Sequence, residues 1–162
     1  MSDLREAAAE LLEQIPPGEA LGTRLFNAIA RLTPTIAVEA VALRWRGSRI
    51  EVFMTQRSSH EAYPNQWHAP GSISRNGEEP KHVFARLERR EFQVPVASFR
   101  QVGDIWHQEE RSWMHGLIYL VVLTQEPPVG HWWDVEELPE NIVSHHRETV
   151  IPKAVKAFRS AA

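Results

Sequence analysis

The sequence predicts an α/β/α sandwich, a mixed sheet held between helices, entered through two N-terminal helices. Three observations predict it. Residues 3 to 34 carry apolar side chains at helical spacing and end on prolines. From Ile36 the pattern changes to short apolar, β-branched runs separated by turns. Two further helix-period segments, the one containing ARLERRE and residues 147–160, interrupt and close that series, and a sheet with helices packed on it buries them all.

Residues 3 to 15 read as an amphipathic helix with Leu4, Ala7, Ala8, Leu11 and Leu12 on one face, stopped by Pro16-Pro17-Gly18. A second helix runs from about Glu19 to Leu32, turns Leu21, Leu25, Phe26, Ile29 and Leu32 inward, and ends before Pro34. Residues 1–34 thus form a helical extension, with three roles open to it: dimerisation, a lid, or plain packing. The remaining 35–162 read as the main part of one compact domain. AVEAVALRW and IEVFMTQR are antiparallel strands about the Arg46-Gly47-Ser48 turn. SSHEAYPNQ is a loop, and Trp67-His68-Ala69 leads into a Pro70-Gly71 turn. An irregular loop closes on Gly77-Glu78 before the helix containing ARLERRE. FRQVGDIWHQ and MHGLIYLVVLT are strands, and Gln125 to Gly130 is a proline-rich loop. HWWDVEELPENI returns to the sheet and opens a short helix, and residues 147 to 160 form the closing helix.

Composition narrows the function classes. A chain of 162 residues suffices for one domain with a proper core. A net charge of −3 gives no global reason to expect nucleic acid or a membrane as partner. The absence of cysteine excludes disulfides, thiolate zinc sites and a cysteine nucleophile. The first residues, MSDLREAAAELLEQI, are too charged for a secretory signal, and no apolar run approaches the roughly 20 residues of a membrane span. A cytoplasmic protein is expected, acting on a small molecule, with a homodimer left open.

The stretch Trp67 to Val96 carries most of the chemistry. On its helix, Val83, Leu87 and Glu91 recur every four residues with Phe84 beside them, so they share one face. Glu91 then lies on an inward stripe, where an unpaired carboxylate is costly. A metal, a hydrogen-bond network or an arginine, Arg86 or Arg90, must satisfy it.

This stretch resembles the Nudix box, G-x5-E-x7-R-E-U-x-E-E-x-G-U with U aliphatic. Gly71 and Ser72 fall at its Gly-Gly, Glu78 at the first glutamate and Arg86 at the arginine. Leu87 replaces the next glutamate, Arg90-Glu91 the Glu-Glu pair, and Gln93 the glycine. The run Phe53 to Arg57, a loop and WHAPG are similar to the family's strand-loop-WxxPGG opening, and WWDVEELP is similar to its W-x-x-x-x-E-L-P close. The resemblance covers residues 36 to 160.

What it implies is a magnesium-dependent hydrolase, with manganese as a substitute, acting on a nucleoside diphosphate linked to another group. VFARLERREFQ is also close to the box helix of GDP-mannose mannosyl hydrolases, A-F-E-R-L-x-x-x-E-L-G, which likewise has Arg-Leu. That likeness implies a nucleotide sugar as substrate. It implies a cation held by the carbonyl of Gly71 or Ser72, by Glu91, and by Glu126 in the proline-rich loop. Pro127 stands where that branch has its catalytic histidine. His131 in the same loop, or Glu109 and Glu110 between two strands, are then the candidate bases. Arg57, Arg86 and Arg90 are the candidate substrate contacts, Arg57 with His60, Tyr63 and Trp67. Arg90, where a glutamate ligand would stand, is satisfied either by solvent or by a substrate phosphate. Two other readings stay open: pyrophosphate cleavage of another small nucleotide with Glu88 as a makeshift ligand, and a fold that binds a nucleotide or a protein without turnover.

Overall fold

The structure, a computed structural model, describes residues 3–109 and 112–161. Seven strands make one sheet: β1 (Thr35–Arg46), β2 (Arg49–Gln56), β3 (Trp67–His68), β4 (Gly71–Ile73), β5 (Val96–Gln108), β6 (Trp113–Leu123) and β7 (His131–Asp134). β1 and β2 form a hairpin in the register Leu43↔Val52, turned by Gly47 at φ 63°, a left-handed conformation that glycine adopts without strain. β6 runs parallel to β1, from Thr35↔Met114 to Ala42↔Val121, whereas the other pairings are antiparallel. The main order is β3-β2-β1-β6-β5, with β4 on β1 and β7 on β2. The sheet is mixed, as the sequence predicts.

Alternation along the strands separates two cores. Val38, Ala40, Ala42 and Phe53 face the helix α3 (Pro80–Leu87) and meet Val83, Phe84, Leu87 and Phe92. Val41, Val52, Met54 and Ile118 face the opposite way, onto Ile151 and Ala154 of α4 (Ile151–Arg159). The result is the expected sandwich.

The extension contains α1 (Leu4–Leu12) and α2 (Gly22–Ala30), the second beginning later than its apolar spacing suggests because Gly22 takes φ 70°. Neither is a core element. α1 buries no residue and α2 only Ala30, while Leu32, expected inward, is 82% exposed. Apolar spacing marks a face but not what covers it. The short helix expected after β7 is a set of turns: the Asp134 side chain accepts the Glu136 N–H at 3.0 Å, and its carbonyl accepts that of Glu137 at 3.0 Å.

β3 is only two residues long, yet it joins two regions. It pairs with β2 through Thr55↔His68. On its other side the Trp67 N–H donates to the Asn141 carbonyl, and the Trp67 carbonyl accepts from the Val143 N–H, each at 2.9 Å. No helix among the described residues is long and apolar enough to cross a membrane.

Candidate functional site

The helix carrying Glu91 does not continue regularly. After Leu87 it widens into one π-helical turn, Glu88–Phe92, and stops at Gln93 in a left-handed conformation. With five residues between successive contacts, Leu87 and Phe92 align on the core, and both are buried. Glu91 is thereby rotated off the apolar stripe on which the sequence spacing places it, to the half-buried edge. Its Oε2 accepts a hydrogen bond from Thr55 Oγ1 at 2.7 Å, and His68 Nε2 lies 3.8 Å away. Thr55 Oγ1 also lies 3.2 Å from His68 Nε2. A hydroxyl that donates its one proton to an ionised Glu91 can only accept from His68, which fixes His68 as the Nε2–H tautomer. Burial pushes the Glu91 carboxyl above the ordinary range, and burial together with the charge of Arg57 pushes His68 down to about 4.

The loop before α3 is held by Arg86. Its guanidinium pairs with Glu78, donates to Ser72 Oγ at 3.0 Å and donates to the Ile73 carbonyl at 2.8 Å. Glu78 in turn accepts the Arg75 N–H at 2.8 Å. These residues shape the turn carrying Gly71, and Leu87 is sealed in the core. Arg90 lines a cleft of about 720 Å³ between that loop and the helical extension, shared with Leu12, Leu21, Phe26 and Arg75.

Beside Gly71 lies a group that strand periodicity alone does not reveal. Glu39, in the middle of the apolar β1, is buried; its register partner on β4 is Gly71, and on β6 it stands opposite Ile118, with Gly116 two residues before it. A Cβ on Gly71 would lie 2.7 Å from Glu39 Oε2, and one on Gly116 would lie 3.4 Å from Glu39 Cγ. The two glycines leave the volume that the carboxylate occupies. His146 Nε2 is 3.5 Å from Glu39 Oε2, and His146 Nδ1 accepts the Ala69 N–H at 3.1 Å. His146 therefore carries its proton on Nε2, facing Glu39. Burial pushes Glu39 up to about 7 and His146 well down, so the pair sits together without two full charges.

From there a row of rings continues outward. His68 and His146 have centroids 6.0 Å apart, His146 and His145 4.6 Å, and His145 and His107 4.0 Å in a near-parallel stack. Glu109 Oε1 ends the row, 3.5 Å from His107 Nε2. Two triads, Glu39-His145-His146 and His107-Glu109-His145, bring their candidate ligand atoms within 4.8 Å of one another. Burial, foremost, pushes His145 down to about 4. Arg57, half-buried at the end of β2, acts electrostatically on Glu39, His68, His145 and His146.

Of the residues expected from sequence, Glu91, Gly71, Arg57 and Glu109 gather around these carboxylates and histidines. Others sit elsewhere. The Glu88 carboxylate accepts the Val96 N–H at 2.7 Å and so ties the helix end to β5. Glu126 is largely exposed and ion-paired to Arg44 at 2.8 Å, and Arg44 also holds Glu51, four residues (about 13 Å) along β2 from Thr55. His131 pairs with Met54 and so faces α4, against Trp67 and Trp133, whereas Phe53 and Thr55 face α3. Glu110 lies outside the described residues. Glu39, Thr55, His145 and His146 are additions of the structure. A lone glutamate in TIAVEAVAL and an adjacent histidine pair were their sequence signals.

A half-buried glutamate such as Glu91 suits a hard cation that keeps several waters or phosphate oxygens, because magnesium needs only one or two carboxylates. The histidine-rich triads suit a softer ion.

Solved structures share this fold. The chain is similar to the Shewanella oneidensis protein NrtR, at 18% identity over 77% of this chain and TM-score 0.61. That match spans 63% of the NrtR chain, less than two thirds of its length. The topology is that of the Nudix fold. The likeness to the NUDIX domain of NrtR complexed with ADP ribose covers 95% of this chain and 98% of that one, at 16% identity and TM-score 0.61. A MutT NUDIX hydrolase from Burkholderia pseudomallei matches 71% of this chain and 94% of its own, at 15% identity and TM-score 0.60. No family model matches the sequence, and no curated protein matches it at a significant level. At these identities the likeness establishes the Nudix fold.

Proposed function

We propose that this Nudix-fold protein is a divalent-metal-dependent hydrolase of a nucleoside diphosphate joined to a second group, with nucleotide sugars as the first class to test. The observation that carries the reading is Glu91: a carboxylate turned out of the core by a π-helical turn and held by Thr55 next to His68. The NUDIX domain of NrtR was solved with ADP ribose, itself a nucleoside diphosphate joined to a sugar, which supports the substrate class.

Glu91 and the Gly71 carbonyl would hold the cation, which supplies charge neutralisation on the diphosphate and polarises the bond that breaks. Arg86 keeps the Gly71 turn in place through Ser72, Ile73 and Glu78. Arg90, exposed on the cleft, is the side chain for a substrate phosphate. Glu39, pushed up to about 7 and pressed against Gly71, has the proton affinity of a base at neutral pH. It takes the proton of the attacking water as the new bond to carbon or phosphorus forms and the leaving phosphate departs with the bonding electrons. Glu39 takes that role in place of His131 because it lies against Gly71, whereas His131 packs on Trp67 and Trp133.

A second reading, binding without turnover, is favoured by one observation. With Glu88 occupied by the Val96 N–H and Leu87 in the core, the helix presents a single carboxylate, Glu91. One experiment separates the two: chromatography of products after incubation with magnesium or manganese and a panel of nucleotide sugars, ADP ribose and dinucleotides, with Glu91→Gln as control. Nucleoside diphosphate plus free sugar means attack at carbon, and nucleoside monophosphate means cleavage of the diphosphate. Binding without products from any member supports the second reading.

A further inference from the structure

Beyond the Glu91 carboxylate, the outer end of the histidine row has the composition of a different kind of site. Both ring nitrogens of His107 are buried with no hydrogen-bond partner among the described residues. A buried nitrogen left without a partner is unfavourable unless a ligand completes it. His145 stacks on His107, and Glu109 Oε1 lies 3.5 Å from His107 Nε2. The ligand atoms of the three residues fall within 4.8 Å of one another.

The other triad is less suited. The Nδ1 of His146 accepts the Ala69 N–H and its protonated Nε2 faces Glu39, so neither nitrogen has a free lone pair. Among the described residues His107 and His145 have no such commitment, and a neutral imidazole is the form that binds a metal.

We infer that His107, His145 and Glu109 hold a zinc-class divalent cation, zinc, cobalt or nickel, at a site distinct from the carboxylate at Glu91. Two imidazoles and one carboxylate favour such ions over magnesium, which prefers oxygen donors alone. Three protein ligands leave a fourth position open to water or an anion. The rings stand 4.0 Å apart and 28° from parallel, so their in-plane lone pairs do not yet converge. Coordination turns the rings edge-on and opens the stack. The positive charge of Arg57, which acts on His145, is opposed by Glu39 and Glu109 nearby.

Cobalt titration of chelator-stripped protein tests the site without any need for turnover. The expected result is one equivalent of cobalt, seen by its visible d–d bands and displaced by zinc. His107→Ala and His145→Ala should each weaken binding tenfold or more, and Glu109→Gln should weaken it to a lesser degree, with unchanged far-ultraviolet circular dichroism. Glu91→Gln should keep the bands, which separates this site from the proposed hydrolytic one. Should the histidine variants fail to fold, zinc is titrated into the wild type and followed by histidine side-chain NMR. Shifts confined to His107, His145 and their stacked or paired neighbours support the site. Absence of stoichiometric cobalt, bands that persist in both histidine variants, or shifts centred on His60, His82 or His131 overturn it.

Discussion

Glu39 and the histidines around it titrate in opposite senses, and the signs can be separated. Glu39 binds its proton more tightly in the folded chain, at about 7 against an ordinary 4.5. Its contribution is therefore fully present below pH 4.5 and is lost as the pH rises to 7. His68 and His145, both held near 4 against an ordinary 6.5, act the other way. Their contribution is present above pH 6.5 and lost as the pH falls to 4, and His146 adds to it. The wild-type melting temperature should rise between pH 4 and 6.5, because the histidines outnumber the glutamate. Glu39→Gln should stabilise the protein at pH 8 by up to about 3 kcal/mol and change little at pH 4.5. Thermal melts at both values check this, and an equal effect at both would refute the buried-carboxylate account. Glu91→Gln should abolish metal-dependent turnover and leave the melting temperature within a few degrees. A large loss of stability with activity kept would make Glu91 a structural residue.

At the scale of elements, the turn before α3 depends on one side chain. Arg86→Ala leaves Glu78 half-buried without its partner and frees both Ser72 and the Ile73 carbonyl. The cost should be roughly 3 kcal/mol, a drop of about 6–12 °C in melting temperature, and Arg86→Lys should recover little, because one ammonium cannot span three acceptors. These elements also show how far the sequence could be read. Strands β1, β2, β5 and β6 follow directly from their apolar runs, and Glu78, Arg86 and Glu91 stand out by spacing. The π-helical turn does not, since regular α periodicity predicts Glu91 in line with Leu87, and only the packing of Phe92 favours the wider turn. The gathering of His107 with His145 and His146 was equally hidden, because it joins the end of β5 to a segment nearly forty residues later. Such contacts depend on how β3 and the turns after β7 are placed, which local pattern does not encode.

For the molecule as a whole, the two cores and the extension carry unequal shares of stability. α1 buries nothing, with Leu4 and Leu11 largely exposed, so removing residues 1–18 should shift the melting temperature by only a few degrees while opening the cleft that Arg90 lines. A collapse of the melt would show that the extension is part of the folding unit. Trp67 has the opposite standing. Its two main-chain bonds, to Asn141 and Val143, fasten the segment leading to His145 and His146, while the same short strand fixes His68 against Thr55 and Glu91. Release of that pair of bonds would undo both neighbourhoods in one event. The Trp67 and Val143 amides should then exchange with solvent as a single unit, and anything that clamps either carboxylate should slow them both.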